Sequence, residues 1–345
     1  MTSPLICTAD DAFLDRGVHW CSAVGVTPEV AHDAGTAVRL WSEAPFILVG
    51  ADLAAVLVRT GVRRRPRVFV LAGSTAAPRE SAPWESALAL GAEGVLPWDD
   101  TDRALEALTG AVDGKGEGCL ISVVGGTGGA GASTIAAGLA LAAGHRGLRA
   151  LLLDADPLGG GLDLLMGIEH AHGVRWDTVT AKDGPMTARA LSDVLPQADG
   201  VWTLSFGREP TVAPPLANLV AAGLRGFDVV VADVARHSDP WTAEVLARSV
   251  LTVVVVPEDV RGVSATRAVL HRLRDRSSSL VAVASARRPG LGRETIAEAV
   301  GMPVISRLRF DPRLRADIDH GVGPAGSTAL RRAVYPLLDL VGVTA

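Results

Sequence analysis

Between an apolar, strand-like segment and a small-residue, helix-like one lies a run of glycines that leaves this chain few folds to choose from. Leu120-Ile121-Ser122-Val123-Val124 leads into Gly125-Gly126-Thr127-Gly128-Gly129-Ala130-Gly131-Ala132-Ser133-Thr134 and then into IAAGLALAAG. Glycines at such a turn let successive backbone N–H groups point at one centre, and the start of the helix adds partial positive charge; the run is suited to surround a phosphate. Glycine-rich strand-to-helix turns also hold dinucleotides, but the Ser133-Thr134 ending favours a phosphate loop whose first hydroxyl ligates Mg²⁺.

A strand that feeds a helix in this way belongs to an α/β domain, and at 345 residues the chain has room for two domains. With 48% hydrophobic and 21% charged residues it can bury cores of that size. Asp113-Gly114-Lys115-Gly116-Glu117-Gly118 separates the helix-like DRALEALTGAV from the strand-like CLISVVGG and is too poor in side chains to form a core element. The predicted organisation is a domain over 1–112, a linker over 113–118 and a domain over 119–345. Upstream, apolar runs at 4–9, 26–31, 45–50, 67–73 and 94–98 alternate with helix-like segments, the pattern of βα units and a parallel sheet.

The net charge of −5 offers no general attraction to nucleic acid. Cys7, Cys21 and Cys119 have no CxxC spacing, and the histidines have no metal-ligand spacing. MTSPLICTADDAFLD lacks the basic start and apolar stretch of a signal peptide. No charge-free run of about 18 apolar residues occurs, so no transmembrane helix is expected and the cytoplasm is the expected compartment.

The upstream βα units resemble the receiver domain of response regulators, a flavodoxin-like fold. Gly91-Ala92-Glu93-Gly94-Val95-Leu96 matches its approach to the last strand, and Asp10 and Asp11 match its acidic pair. Gly50 stands where the phosphoacceptor Asp would close the third strand, with Ala72 and Trp98 at the hydroxyl and lysine positions. The resemblance therefore implies a pseudo-receiver used for docking or dimerisation, with Asp52 as the nearest carboxylate.

Downstream, Thr127 to Thr134 resembles the deviant Walker pattern K-G-G-x-G-K-[ST]-[ST] of the MinD/ParA family, with Thr127 and Ala132 in place of its two lysines. The G-A-S-T ending is similar to the CpaE/TadZ-like branch. Arg149 to Pro157 ends in the switch I pattern D-A-D-P, Phe227 to Asp233 matches the Walker B strand, and Ala235 replaces the usual Pro after it. Val250 to Val256 ends in Pro257, where the family's chain passes the base. Ala297 to Val304 and Phe310-Asp311-Pro312 match its terminal pattern.

Over roughly residues 118–325 this resemblance implies a P-loop NTPase domain with a mostly parallel sheet. It implies ATP or ADP with Mg²⁺ as cofactor, bound by Gly128, Gly129, Ala130, Gly131, Ala132, Ser133, Thr134, Asp154 and Pro257. Ser133 and Asp233 would hold the Mg²⁺, and Asp156 would orient the catalytic water. It further implies a homodimer that regulates septum placement or pilus/secretion-system assembly, with a secretion/pilus-type ATPase or cell-division proteins as partners. With neither lysine, weak or absent hydrolysis is expected; the alternatives are an active ATPase with a substitute cation and a nucleotide-free scaffold.

Arg63-Arg64-Arg65 and Arg67 read as a solvated loop, and the Arg272, Arg274, Arg276, Arg287, Arg288 cluster does not overcome the net negative charge, so no nucleic-acid partner is expected. Apolar residues at 330, 333, 334, 337, 338 and 341 predict an amphipathic helix interrupted at Pro336. It is expected to pack on the sheet; family resemblance offers peripheral contact with the inner face of the plasma membrane as the alternative.

Overall fold

In a computed structural model of the chain, residues 3–73, 81–113, 118–179, 186–207, 216–237, 240–277, 279–286 and 290–343 are described. The chain divides into two compact units, one of Met1–Lys115 with Asp183–Ala190 and the other of Gly116–Lys182 with Leu191–Ala345. Of the seam expected at 113–118, residues 114–117 lie outside the described residues, as do Arg287 and Arg288 of the basic cluster.

The first unit runs β1 (Leu5–Cys7), α1 (Asp11–Ala23), β2 (Glu29–Ala31), α2 (Ala34–Leu40), β3 (Ile47–Gly50), α3 (Ala51–Thr60), β4 (Val68–Ala72), α4 (Ser81–Leu90), β5 (Gly94–Pro97) and α5 (Thr101–Asp113). Each apolar run yields one short strand, and the strands pair in parallel in the doubly wound order β2-β1-β3-β4-β5. β1 and β3 are buried throughout because alternate residues enter opposite layers: Leu5, Cys7, Ile47 and Val49 one, Ile6 and Leu48 the other.

At the carboxyl edge of this sheet the space beside Gly50 is already taken. A Cβ there would collide with Asp52 Oδ1 and Thr8 Oγ1. The Asp52 carboxylate accepts hydrogen bonds from Thr8 Oγ1 at 2.9 Å and from the Ala9 N–H at 2.7 Å, tying the exit of β1 to the first turn of α3. Asp10, matched above to an acidic pair, serves as the N-cap of α1, accepting from the Ala12 and Phe13 N–H groups.

The second half of the chain runs β6 (Cys119–Gly125), α6 (Ala132–His145), β7 (Ala150–Ala155), α7 (Leu162–Met166), α8 (Ala188–Val194), β8 (Gln197–Ala198), β9 (Val201–Leu204), α9 (Leu216–Gly226), β10 (Val229–Val234), α10 (Pro240–Arg248), β11 (Leu251–Pro257), α11 (Val260–Leu273), β12 (Leu280–Ala286), α12 (Arg293–Val300), β13 (Val304–Arg309), α13 (Pro312–Asp319) and α14 (Thr328–Leu340). Its sheet has the order β13-β12-β11-β6-β10-β7-β9-β8 and is parallel except for the β8–β9 hairpin. β6 lies between β10 and β11, and the chain leaves toward β7 on one side and reaches β11 on the other. Connections diverge there, which opens a crevice at the carboxyl ends of these strands.

Helix α6 is buried from Ile135 to Ala143, as its all-round small apolar composition requires. One side meets the sheet and the other meets α14, which approaches closely because position 138 has no side chain: a Cβ on Gly138 would lie 2.7 Å from Leu330 Cδ1. Leu330, Ala333, Val334, Leu337 and Leu338 are all buried. The interruption expected at Pro336 does not occur, since α14 continues to Leu340. Burial of one whole face holds the helix through the single missing N–H donor. Arg146, just past α6, pairs with Asp339 at 2.6 Å and stacks on the Tyr335 ring. Among the described residues no helix is long and apolar enough to cross a membrane.

Candidate functional site: a phosphate loop without lysines

The loop from Gly126 to Gly131 joins β6 to α6. Gly129 and Gly131 have φ of +69° and +99°, left-handed conformations that only glycine adopts without strain. The loop is pinned from behind: the Gly126 N–H donates to the Val255 carbonyl at 2.9 Å, and a Cβ on Gly126 would overlap Thr266 Oγ1 of α11. Helix α6 begins after Gly131 with no side-chain cap, so its first-turn N–H groups remain available to an anion. Ala132, Ser133 and Thr134, all half-buried, form that turn.

Next to the loop, parallel register sets Asp233 of β10 directly beside Asp154 of β7. Both are nearly inaccessible, at 5% and 2% exposure. Asp154 is held by the Asp156 and Leu162 N–H groups and by the Ser205 hydroxyl, all at 3.2 Å, and its own carbonyl accepts from Trp176 Nε1. Ser205 also reaches Asp163, which pairs with Arg175 at 3.1 Å. This buried network went unrecognised in the sequence, where Ser205 fits no motif; it ties the D-A-D-P loop to β9. Asp156 accepts from the Leu158 N–H at 3.1 Å and so turns its own loop.

Burial pushes the Asp154 carboxyl up to about 6 against the pull of these hydrogen bonds. Burial pushes Asp233 up to about 7; the neighbouring Ser133 hydroxyl opposes the rise, while the charges of Asp154 and Asp156 add to it. Among the described residues neither Asp154 nor Asp233 forms an ion pair. Two adjacent buried carboxylates beside a serine hydroxyl suit a divalent cation, with Ser133 and Asp233 as the side chains closest to the loop. The residues present thus fit a Mg²⁺-bearing phosphate.

These pKa values have a stability consequence. A carboxyl that holds its proton more tightly in the folded chain than in the unfolded one stabilises the fold at low pH, and that contribution is lost as pH rises through the folded value. Metal-free protein is expected to lose stability between about pH 4 and pH 7 from this source, by about 1.4 kcal/mol for each tenfold difference between the folded and unfolded acidities. Asp233→Asn should flatten the dependence and raise the melting temperature at pH 8 above that of the native chain. An identical pH profile for the two proteins would mean that Asp233 ionises freely.

On the other side of the loop, a cavity of about 590 Å³ is lined by Thr127, Gly128, Gly129, Pro257, Arg261 and Gly290, among others. That is the size of a small-molecule site. Pro257 ends β11, and Asp259 caps α11 through the Gly262 N–H. Buried Glu258 pairs with Arg307 of β13 and fixes this wall. Of the residues expected at the site, the fold gathers Gly128 to Thr134 on one loop, Asp154, Asp156 and Asp233 on one flank and Pro257 on the other. Arg236, which follows β10, also reaches the loop and carried no signal in the sequence.

Residues 121–324 match the CobQ/CobB/MinD/ParA nucleotide binding domain, and residues 7–118 match the Rv3660c-like, CheY-like N-terminal domain. The chain is 34% identical over 311 residues to the uncharacterized protein Rv3660c of Mycobacterium tuberculosis, covering 87% of this chain and 86% of that one. Among solved structures it is similar to a ParA family ATPase from Chlorobium tepidum (TM-score 0.56, 15% identity, 65% of this chain and 98% of that chain). It is also similar to the MinC:MinD cell division protein complex of Aquifex aeolicus (TM-score 0.53, 18% identity, 66% and 97%).

Proposed function

The chain belongs to the CobQ/CobB/MinD/ParA nucleotide-binding family, and on that premise we propose that it is a nucleotide-responsive spatial regulator that binds ATP or ADP with Mg²⁺ and hydrolyses it weakly or not at all. One observation carries this reading: the backbone cradle and the Ser133–Asp233 side of the loop are intact, whereas Thr127 and Ala132 stand where the family has lysines. Backbone N–H groups and Mg²⁺ suffice to hold phosphates, but hydrolysis requires stabilisation of charge spreading over the γ-phosphate, which those lysines would supply.

The same loop ending, behind a receiver-like domain lacking its phosphoacceptor, supports a CpaE/TadZ-like role. In that role a homodimer positions septum components or a pilus/secretion-type ATPase, and the first domain docks partners. Calorimetric titration of the full chain with ATP and ADP is expected to give binding that depends on Mg²⁺, with phosphate release close to the uncatalysed background. Absence of binding under every condition would instead mark a nucleotide-free scaffold.

A further inference from the structure

Among the described residues, Arg236 forms no ion pair, and it is exposed at the edge of the phosphate loop. It follows Asp233 by three positions at the exit of β10. Its guanidinium lies against the loop itself: a Cβ on Gly128 would be 3.6 Å from Arg236 Nη2 and 3.9 Å from Cζ. A Cβ on Gly128 would make only ordinary van der Waals contact with the guanidinium, which lies along the edge of the loop. Thr127, next to it, is the position where the family's signature lysine would begin.

Resting on the reading that this loop holds a nucleotide, we infer that Arg236 is the cation that takes the place of the missing lysines and binds the terminal phosphate of a nucleoside triphosphate. The polarity of the site fixes which end of the ligand it meets. The side chains that would hold Mg²⁺ beside the outer phosphates, Ser133 and Asp233, lie on the β10 side of the loop. Arg236 leaves β10 on that same side. Arg261, the cation on the cavity wall, lies beyond Pro257, toward the end left for the base and sugar.

A guanidinium suits this contact because its planar fork matches two phosphate oxygens and it stays charged at every relevant pH.

The test compares the full-length native chain with Arg236→Ala and Arg236→Lys by calorimetric titration with Mg²⁺·ATP and Mg²⁺·ADP. Because the contact is to the terminal phosphate, Arg236→Ala is expected to weaken ATP about 10- to 100-fold and ADP less than about 3-fold, with the melting temperature unchanged. Arg236→Lys should retain part of the ATP preference, and adding Thr127→Lys to Arg236→Ala should restore it. If Arg236→Ala proves unstable, Arg236→Gln keeps most of the stem, removes the charge and carries the same expectation. Equal losses for ATP and ADP, or no loss for either, would overturn the assignment of Arg236 while leaving nucleotide binding in place. A native chain that binds neither nucleotide would overturn both.

Discussion

Deleting residues 328–343 is expected to unfold the second unit. The deletion strips Leu330, Ala333, Val334, Leu337 and Leu338 from the core and exposes the outer face of α6, whose Gly138 is built to receive Leu330. Full burial of a large apolar side chain contributes about 1.5–3 kcal/mol, so four such residues approach the whole net stability of about 5–15 kcal/mol that a domain possesses. Because the phosphate loop ends in the first turn of α6, loosening of that helix would disorder the anion cradle at the same time. Circular dichroism and thermal melting check the outcome. A truncated protein that melts cooperatively at the native temperature, and merely ceases to sediment with anionic liposomes, would make α14 a membrane anchor instead.

Restoring both lysines, as Ala132→Lys with Thr127→Lys, is expected to raise ATP affinity and to raise turnover by at least about two powers of ten. A single cation placed on the transferring phosphate accounts for about 10³–10⁵ in rate in related chemistry. Position 132 is the first residue of α6 and half-buried, and position 127 is half-buried on the loop. Asp156→Ala in the native background should leave phosphate release unchanged, because that carboxylate accepts a hydrogen bond from its own loop and neither phosphate-loop lysine is present to make an oriented water useful. Fast release by the native chain, abolished by Asp156→Ala, would reverse this expectation and identify an active ATPase. Arg236 connects the two experiments: if it already supplies the terminal-phosphate contact, the lysines should improve turnover more than binding.

Features written into a few consecutive residues are legible in the sequence. Left-handed glycines before Ala132 come from the G-x-G spacing, and the loss of both lysines is a matter of residue identity. β6, β7, β10 and β11 are mainly apolar runs, each carrying one buried polar residue (Ser122, Asp154, Asp233 and Thr252), because strands covered on both faces have no polar side to show. β13 escaped notice for the converse reason. β13, Val304–Arg309, lies at the sheet edge with alternate residues buried and partly exposed, and Ser306, Arg307 and Arg309 break any apolar run. β8 and β9 are too short to register as a period.

What depended on the sheet order lay beyond reach, because that order is set by packing among segments distant along the chain. Only the parallel register of β7 and β10 sets Asp154 beside Asp233, and burial within that sheet raises both carboxyls. The exit of β10 beside β6 brings Arg236 to Gly128, and the pairing of β1 with β3 puts Asp52 into the space a phosphoacceptor at 50 would need. The sequence by itself determined that a phosphate cradle exists and which charges it lacks, because cradle geometry is local. Tertiary structure alone decided which charge comes to stand beside it, because a side chain can compensate a missing neighbour only where the fold carries it within contact distance.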